Sequence, residues 1–179
     1  MALGARIRAA RERSGLSLRE FAGRAELSPG FVSQLERDLV DPSLESLRRI
    51  ATVLGVPMFD LFADAGGQGP AVVRRGGRVR VTSPKGGISY ARLSAGTGRI
   101  EVLEGLLDPH GSSSPTPWTH PSEECVTVIS GRVRAEINGE DFILSEGDSC
   151  SFDSRLPHRY INDGDAPARF ILAITPPSY

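Results

Sequence analysis

The chain has 179 residues, 39% of them hydrophobic and 24% charged, with a formal net charge of −1. That length suits one large domain or two small ones, and the balance is that of an ordinary protein with a packed core or two. No run approaches the roughly 20 apolar residues of a membrane span, the arginine-rich start MALGARIRAARERSG lacks the apolar core and cleavage site of a signal peptide, and near-neutrality argues against indiscriminate nucleic-acid binding. A cytoplasmic protein with no membrane partner is expected. Its two cysteines, Cys125 and Cys150, fit that compartment as buried thiols better than as a disulfide. The overall charge hides a local basic segment, because Arg6, Arg8, Arg11 and Arg13 face only Glu12 in the first predicted helix.

From Leu3 to Phe62 the apolar pattern is helical. Leu3, Ile7 and Ala10 share one face, followed by Leu18, Phe21, Ala22 and Ala25, then Val32 and Leu35, then Leu44, Leu47, Ile50, Ala51 and Leu54. Start signals agree with this phasing. Ser17 followed by Glu20 is a capping box. Ser28-Pro29 is a hydroxyl N-cap with proline at the first helical position, where its missing N–H costs nothing. Ser43 can cap a fourth helix that Gly55 ends, and a short fifth helix is expected around Met58–Phe62.

Residues 63–70 (ADAGGQGP) form a glycine-rich break and the natural boundary, giving units 1–62 and 72–179 joined by a linker over 63–71. Beyond it the period falls to two. Arg78–Val81, Arg132–Ile137 and Phe170–Ile174 read as strands, with Asn138-Gly139 a hairpin turn and Glu146-Gly147-Asp148 another turn. Many short strands without a long helical pattern point to an antiparallel sandwich or barrel. The segment GSSSPTP, 111–117, reads as a loop at its mouth.

Ser17-Leu18-Arg19-Glu20-Phe21-Ala22, a turn, then Ser28-Pro29-Gly30-Phe31-Val32-Ser33-Gln34-Leu35-Glu36-Arg37, Asp41-Pro42-Ser43 and Leu47-Arg48-Arg49-Ile50-Ala51 resemble the lambda-repressor-like (Xre) helix-turn-helix family. The resemblance implies a five-helix bundle whose third helix enters the major groove of double-stranded operator DNA, its first residues reaching base edges. Gln34 is the leading base reader because its amide can pair bidentately with adenine, with Ser33 and Phe31 next. Family base-contact positions also fall on Pro29 and Gly30, which carry no side-chain donor, so shape readout is expected to contribute. Ser17 and the amides beside it are expected at a phosphate, with Arg8, Arg19 and Arg37 as further phosphate partners. Arg11 and Glu36 stand where the family has an ion pair, and Glu26 where a glycine often makes the sharp turn. One such domain reads only a few base pairs, so a homodimer is expected.

Residues 72–179 resemble a small cupin, implying a double-stranded β-barrel. Trp118-Thr119-His120, then Glu124 and Gly131, follow the spacing of the first family motif, with Trp118 where a further metal-binding histidine would stand. Gly147-Asp148 and Pro157-His158-Arg159-Tyr160-Ile161-Asn162 follow the second. Two imidazoles and a carboxylate, from His120, His158 and Glu124, can hold one divalent ion such as Fe, Mn, Ni or Zn and leave positions open. Indole nitrogen is only a donor and cannot replace the missing ligand. Two states therefore stand side by side: a three-ligand metal site, or a metal-free pocket. Trp118, Arg159 and Tyr160 are the candidate effector contacts.

The combined architecture leads to a transcriptional regulator, not an enzyme, that binds DNA as a dimer and responds to a small-molecule effector in its cupin unit. The alternative is a mononuclear non-heme iron oxygenase of the kind that epoxidises phosphonates, whose triad would be His120, Glu124 and His158. That reading requires basic side chains to converge on the pocket.

Overall fold

A computed structural model describes residues 2–62, 71–83, 87–96 and 98–177. The chain divides into two compact units, Met1–Ala65 and Gly66–Ser178. The linker expected over 63–71 lies, apart from its last residue, outside the described residues. No helix among them is long and apolar enough to cross a membrane.

Among its described residues the first unit holds four α-helices, α1 Leu3–Arg13, α2 Leu18–Arg24, α3 Pro29–Leu35 and α4 Leu44–Leu54. The bundle thus has four α-helices and not five, because the short fifth helix expected around Met58–Phe62 is a single 3-10 turn, Met58–Leu61. Its four residues follow Pro57, and such a short piece settles into the tighter i→i+3 bonding. The local start signals act as the sequence predicts. Ser17 and Glu20 form a reciprocal capping box on α2, Ser28 accepts from the Phe31 amide on α3, and Ser43 accepts from the Ser46 amide on α4, which ends at left-handed Gly55. Each cap satisfies amides that the helix cannot.

Ile7, Phe21, Ala22, Val32, Ile50, Ala51 and Phe59, all 0% exposed, form the core of this unit. Two ties fix α1 against the end of α3. Arg11 grips both carboxylate oxygens of Glu36, at 2.6 and 2.9 Å. The Gly4 amide donates to Asp38 Oδ1 at 2.8 Å, and a Cβ on Gly4 would fall 2.1 Å from the Leu35 carbonyl oxygen, so only glycine allows this approach. Glu26 makes its turn at φ 53°, a left-handed conformation costing roughly 1 kcal/mol without glycine. Its carboxylate meets Arg49 at 3.2 Å.

Among the described residues the second unit contains nine strands: β1 Arg80–Ser83, β2 Ile88–Arg92, β3 Glu101–Leu107, β4 Glu123–Ser130, β5 Arg132–Ile137, β6 Glu140–Ser145, β7 Ser149–Asp153, β8 His158–Ile161 and β9 Ala168–Thr175. They form a six-stranded sheet, β1-β2-β3-β9-β4-β7, and a three-stranded sheet, β6-β5-β8, with every pairing antiparallel. The first expected strand thus begins two residues late. Asn138 and Gly139 both take positive φ, 53° and 81°, in the β5–β6 hairpin, the geometry that matches strand twist.

Among the described residues the sheets do not close into a barrel. The free edge of β8 is met by the segment 112–118, but only through two isolated bridges, Ser112 to Ile161 and Trp118 to His158. Pro115 and Pro117 lie between them and lack the N–H that a continuous ladder needs. The serine-rich segment is nonetheless fastened down. Ser113 and Tyr160 exchange bonds at 2.8 and 2.9 Å, and Arg159 donates to the Pro115 carbonyl at 2.8 Å.

Val126, Val128, Val133, Ala135, Leu107, Ala168 and Phe170 make the buried core. Gly105 is required there: a Cβ would meet the Phe170 ring at 2.3 Å. Asn162, the last residue of the second motif, is a structural knot. Its amide nitrogen donates to the Asp108 and Ala166 carbonyls at 3.0 and 2.8 Å, and its oxygen accepts from Gly164 at 3.0 Å. Cys125 and Cys150 are free thiols. Cys125 pairs with Ser151 and Cys150 with Val126, so the two lie one register step apart on opposite faces of the sheet.

A candidate DNA-reading helix and a candidate metal centre

In the helical unit, alternation around α3 sorts the expected DNA contacts. Val32 and Leu35 point into the core. Pro29, Gly30, Gln34 and Arg37 are exposed, and Phe31 and Ser33 are half-buried. Gly30 and Gln34, four residues apart, share a face. Nothing lies within 4 Å of where a Gly30 Cβ would stand. Arg37 turns its Nε to the Ser33 carbonyl at 3.0 Å. Arg19 is exposed on α2. The backbone N–H of Ser17 is taken by Glu20 Oε2 at 2.9 Å, so an anion there would compete with a carboxylate. Arg8 pairs with Glu12 at 2.9 Å, which neutralises part of the basic first helix.

In the sheet unit, His120, Glu124 and His158 come together with ligand atoms within 4.8 Å of one another, all three buried. Glu124 belongs to β4 of the larger sheet and His158 to β8 of the smaller. His120 lies just before β4, its amide donating to the Ser154 carbonyl at 3.0 Å. One carboxylate oxygen, Glu124 Oε1, stands 2.5 Å from His120 Nε2 and 3.5 Å from His158 Nε2. The other, Oε2, accepts the Tyr160 hydroxyl at 2.7 Å.

The tautomer of His158 is set by its own turn. Its Nδ1 lies 2.8 Å from the Leu156 carbonyl. A carbonyl only accepts, so Nδ1 carries a proton, and Nε2 is the nitrogen turned to Glu124. Neither His120 Nε2 nor His158 Nε2 makes an aligned hydrogen bond to any described residue. Two buried imidazole nitrogens without aligned partners, converging with one carboxylate oxygen, fit a divalent cation. Burial pushes the Glu124 carboxyl up, but the close approach of both imidazoles outweighs it and holds the group well below the ordinary carboxylate range. Burial, and then the charge of Glu124 and the hydrogen bond to it, push the Tyr160 phenol well above its usual value, so it remains a donor.

Aromatic rings enclose the cluster. Trp118 stacks on His120 with ring centres 4.5 Å apart and planes at 30°. Phe152 of β7 meets His158 edge-on at 5.0 Å. Trp118 and His158 also exchange backbone bonds at 3.1 and 3.0 Å, which fastens the segment carrying the indole to β8.

Of the expected effector contacts, Trp118 and Tyr160 face the triad and Arg159 does not. His158 and Tyr160 are buried on one side of β8, whereas Arg159 between them pairs with Glu136 at 2.7 Å. Arg155 pairs with Asp153 at 3.4 Å, and His110 sits apart against Asp165 at 3.3 Å. Glu123 is out of phase with Glu124 on β4, and both border a groove of about 450 Å³ together with Cys125, Ser151, Phe152 and Asp153. Phe152 is a site residue that motif spacing does not reveal. Its signal is the alternation of β7, which places it on the face of Cys150.

A helix-turn-helix unit followed by paired antiparallel sheets with a buried His/Glu/His cluster marks a two-part class of protein, a helical DNA-reading unit joined to a β-sheet unit. Residues 2–61 match the family described as helix-turn-helix domain, and residues 104–174 the family described as cupin domain. The HTH-type transcriptional regulator PuuR of Escherichia coli is 26% identical over 183 residues, covering 100% of this chain and 97% of the relative. The transcriptional regulator ClgR of Mycobacterium tuberculosis is 34% identical over 91 residues, covering 51% of this chain and 78% of the relative. The chain belongs to the helix-turn-helix transcriptional regulators, with a C-terminal cupin domain.

Among solved structures, an HTH_3 family transcriptional regulator from Vibrio cholerae superposes with a TM-score of 0.76 at 21% identity, over 97% of this chain and 94% of the other. Hydroxypropylphosphonic acid epoxidase from S. wedmorenis superposes at 0.50 with 20% identity, over 97% and 96%. Both likenesses are of fold alone.

Proposed function

We propose that this regulator binds a palindromic operator as a homodimer, with α3 in the major groove, and that its cupin unit takes up a small-molecule effector over the His120–Glu124–His158 cluster. The supporting observation for DNA reading is the exposed set Pro29, Gly30 and Gln34 on a helix whose opposite side is packed, with exposed Arg37 just past its end. Gln34 is the base reader, with Ser33 and Phe31 beside it, and Arg19, Arg37 and Ser17 at phosphates. The two sheets are read as the halves of a double-stranded barrel. A divalent ion bound to His120, Glu124 and His158 would supply Lewis acidity and open positions for an effector. Trp118, Phe152 and Tyr160 form an aromatic wall that suits an effector with an apolar or flat portion. Such an effector changes operator affinity only if it binds the two states of the protein unequally.

The second reading, an iron-dependent oxygenase acting on a phosphonate, draws on the same donor set. It is weakened by the basic residues. Arg155 and Arg159 pair with Asp153 and Glu136, and Arg92 is buried against Glu101 at 3.2 Å, so none of these guanidiniums is directed to a phosphonate beside the triad.

Footprinting over the promoter of the protein's own gene tests the proposal. Protection of a palindromic site is expected, lost in Gln34→Ala while metal content stays that of the wild type. The absence of any protected site, together with iron-dependent oxygen consumption abolished in His158→Ala, would transfer the assignment to the enzyme.

A further inference from the structure

We infer that Tyr160 is a positioning residue that holds Glu124 to a single ligating oxygen, and thereby sets how many places on a bound ion stay open to an effector. The inference rests on the proposed metal reading of the site.

A carboxylate can offer a metal one oxygen or both, and each choice consumes a different number of positions around the ion. Here the two oxygens of Glu124 have different neighbours. Oε1 faces the two imidazole nitrogens, at 2.5 and 3.5 Å. Oε2 accepts the Tyr160 hydroxyl at 2.7 Å, which ties one of its lone pairs away from the imidazoles. For Glu124 to turn and present both oxygens, that bond would have to break inside a dry interior, where an unpaired phenol is costly.

Tyr160 is well fixed for this role. It is 2% exposed, its ring lies against Phe170 with centres 5.4 Å apart, and its amide and carbonyl are both bonded to Ser113, at 2.9 and 2.8 Å. It sits two residues after His158 on the same face of β8, while Glu124 comes from the other sheet. The hydrogen bond therefore ties a ligand on one sheet to the strand that carries a ligand on the other. Ser113 lies in the segment that also carries Trp118, so the residues walling the site and the residue orienting its carboxylate share one anchor.

The test uses Co²⁺, whose visible absorption weakens as more ligands surround it, with affinity measured by calorimetry on the full chain. Tyr160→Phe keeps the ring and removes only the donor. It is expected to bind Co²⁺ about 10- to 100-fold more weakly and with a less intense visible spectrum than the wild type. Ile143→Ala, at an exposed position on β6, a strand that carries none of the three ligands, is expected to keep the wild-type spectrum. An unchanged spectrum and affinity in Tyr160→Phe overturns the proposal, as do equal changes in both variants. Wild-type protein that takes up no Co²⁺ overturns the metal reading itself, and is told apart by needing no variant. If Tyr160→Phe does not fold, as judged by circular dichroism, 3-fluorotyrosine in the otherwise unaltered chain strengthens the donor instead. A shifted Co²⁺ spectrum then supports the proposal and an unshifted one overturns it.

Discussion

Arg11 illustrates how one side chain in the helical unit carries more than its own charge. Its guanidinium is nearly buried, with both its Nε and Nη2 on Glu36 and Nη1 on the Leu16 carbonyl at 2.9 Å. It joins α1 to the last turn of α3 and to the loop that leads into α2. Removing one partner of such a pair leaves the other charge buried without compensation, so Arg11→Ala is expected to destabilise the unit by about 3 kcal/mol in urea unfolding. A change below about 1 kcal/mol, the value typical of a surface pair, would show that solvent reaches Glu36 and that the pair does not orient α3. This pairing was legible from position in the family pattern. The tie between Gly4 and Asp38 was not, because it depends on Asp38 taking φ 56° after the helix ends.

At the scale of elements, α3 combines an ordinary interior face with an unusual outer one. Glycine inside a helix costs up to about 1 kcal/mol relative to alanine, and nothing within the unit requires it at Gly30, where a Cβ would meet open space. The cost has a reason if DNA approaches the helix backbone at that point. Gly30→Ala is therefore expected to leave the melting temperature equal or higher while weakening operator binding in a gel-shift titration. Equal operator affinity would show that Gly30 stands clear of the DNA. The helices were readable because Ser17, Ser28, Ser43 and Gly55 are local signals acting within three or four residues. The 3-10 form of Met58–Leu61 was not, since its apolar residues fit either helix. In the sheets, the period of two placed strands but left their edges undecided. Arg159 shows how far that period reaches: between two inward residues, His158 and Tyr160, a strand can only turn it outward.

For the molecule as a whole, the triad couples stability to acidity. The folded Glu124 carboxyl ionises well below the ordinary value of 4.5. Its stabilising contribution is therefore complete above about pH 4.5 and is lost as the pH falls below that. Metal-free protein unfolded by urea between pH 3 and 6 is expected to lose stability on the acid side, and Glu124→Gln to lose less of it. Parallel profiles for the two proteins would show that other carboxyls, such as Asp163 beside Arg134, account for the slope. His120, Glu124 and His158 could be picked out from motif spacing alone. What spacing could not give was that one carboxylate oxygen serves both imidazoles while a phenol from the facing sheet holds the other, because that arrangement belongs to two sheets meeting.

The stacking of Trp118 on His120 makes the chain its own optical gauge. Trp118 is the sole tryptophan, and its ring centre lies 4.5 Å from that of one ligand imidazole and 5.6 Å from that of the other. Light absorbed selectively by the indole is thus emitted from the wall of the pocket and nowhere else. An ion or an effector that binds beside the triad is expected to dim or shift that emission without any label, and unchanged emission on saturating it would place its binding elsewhere. The indole that stands where the motif spacing would put another histidine is thereby a window onto the triad.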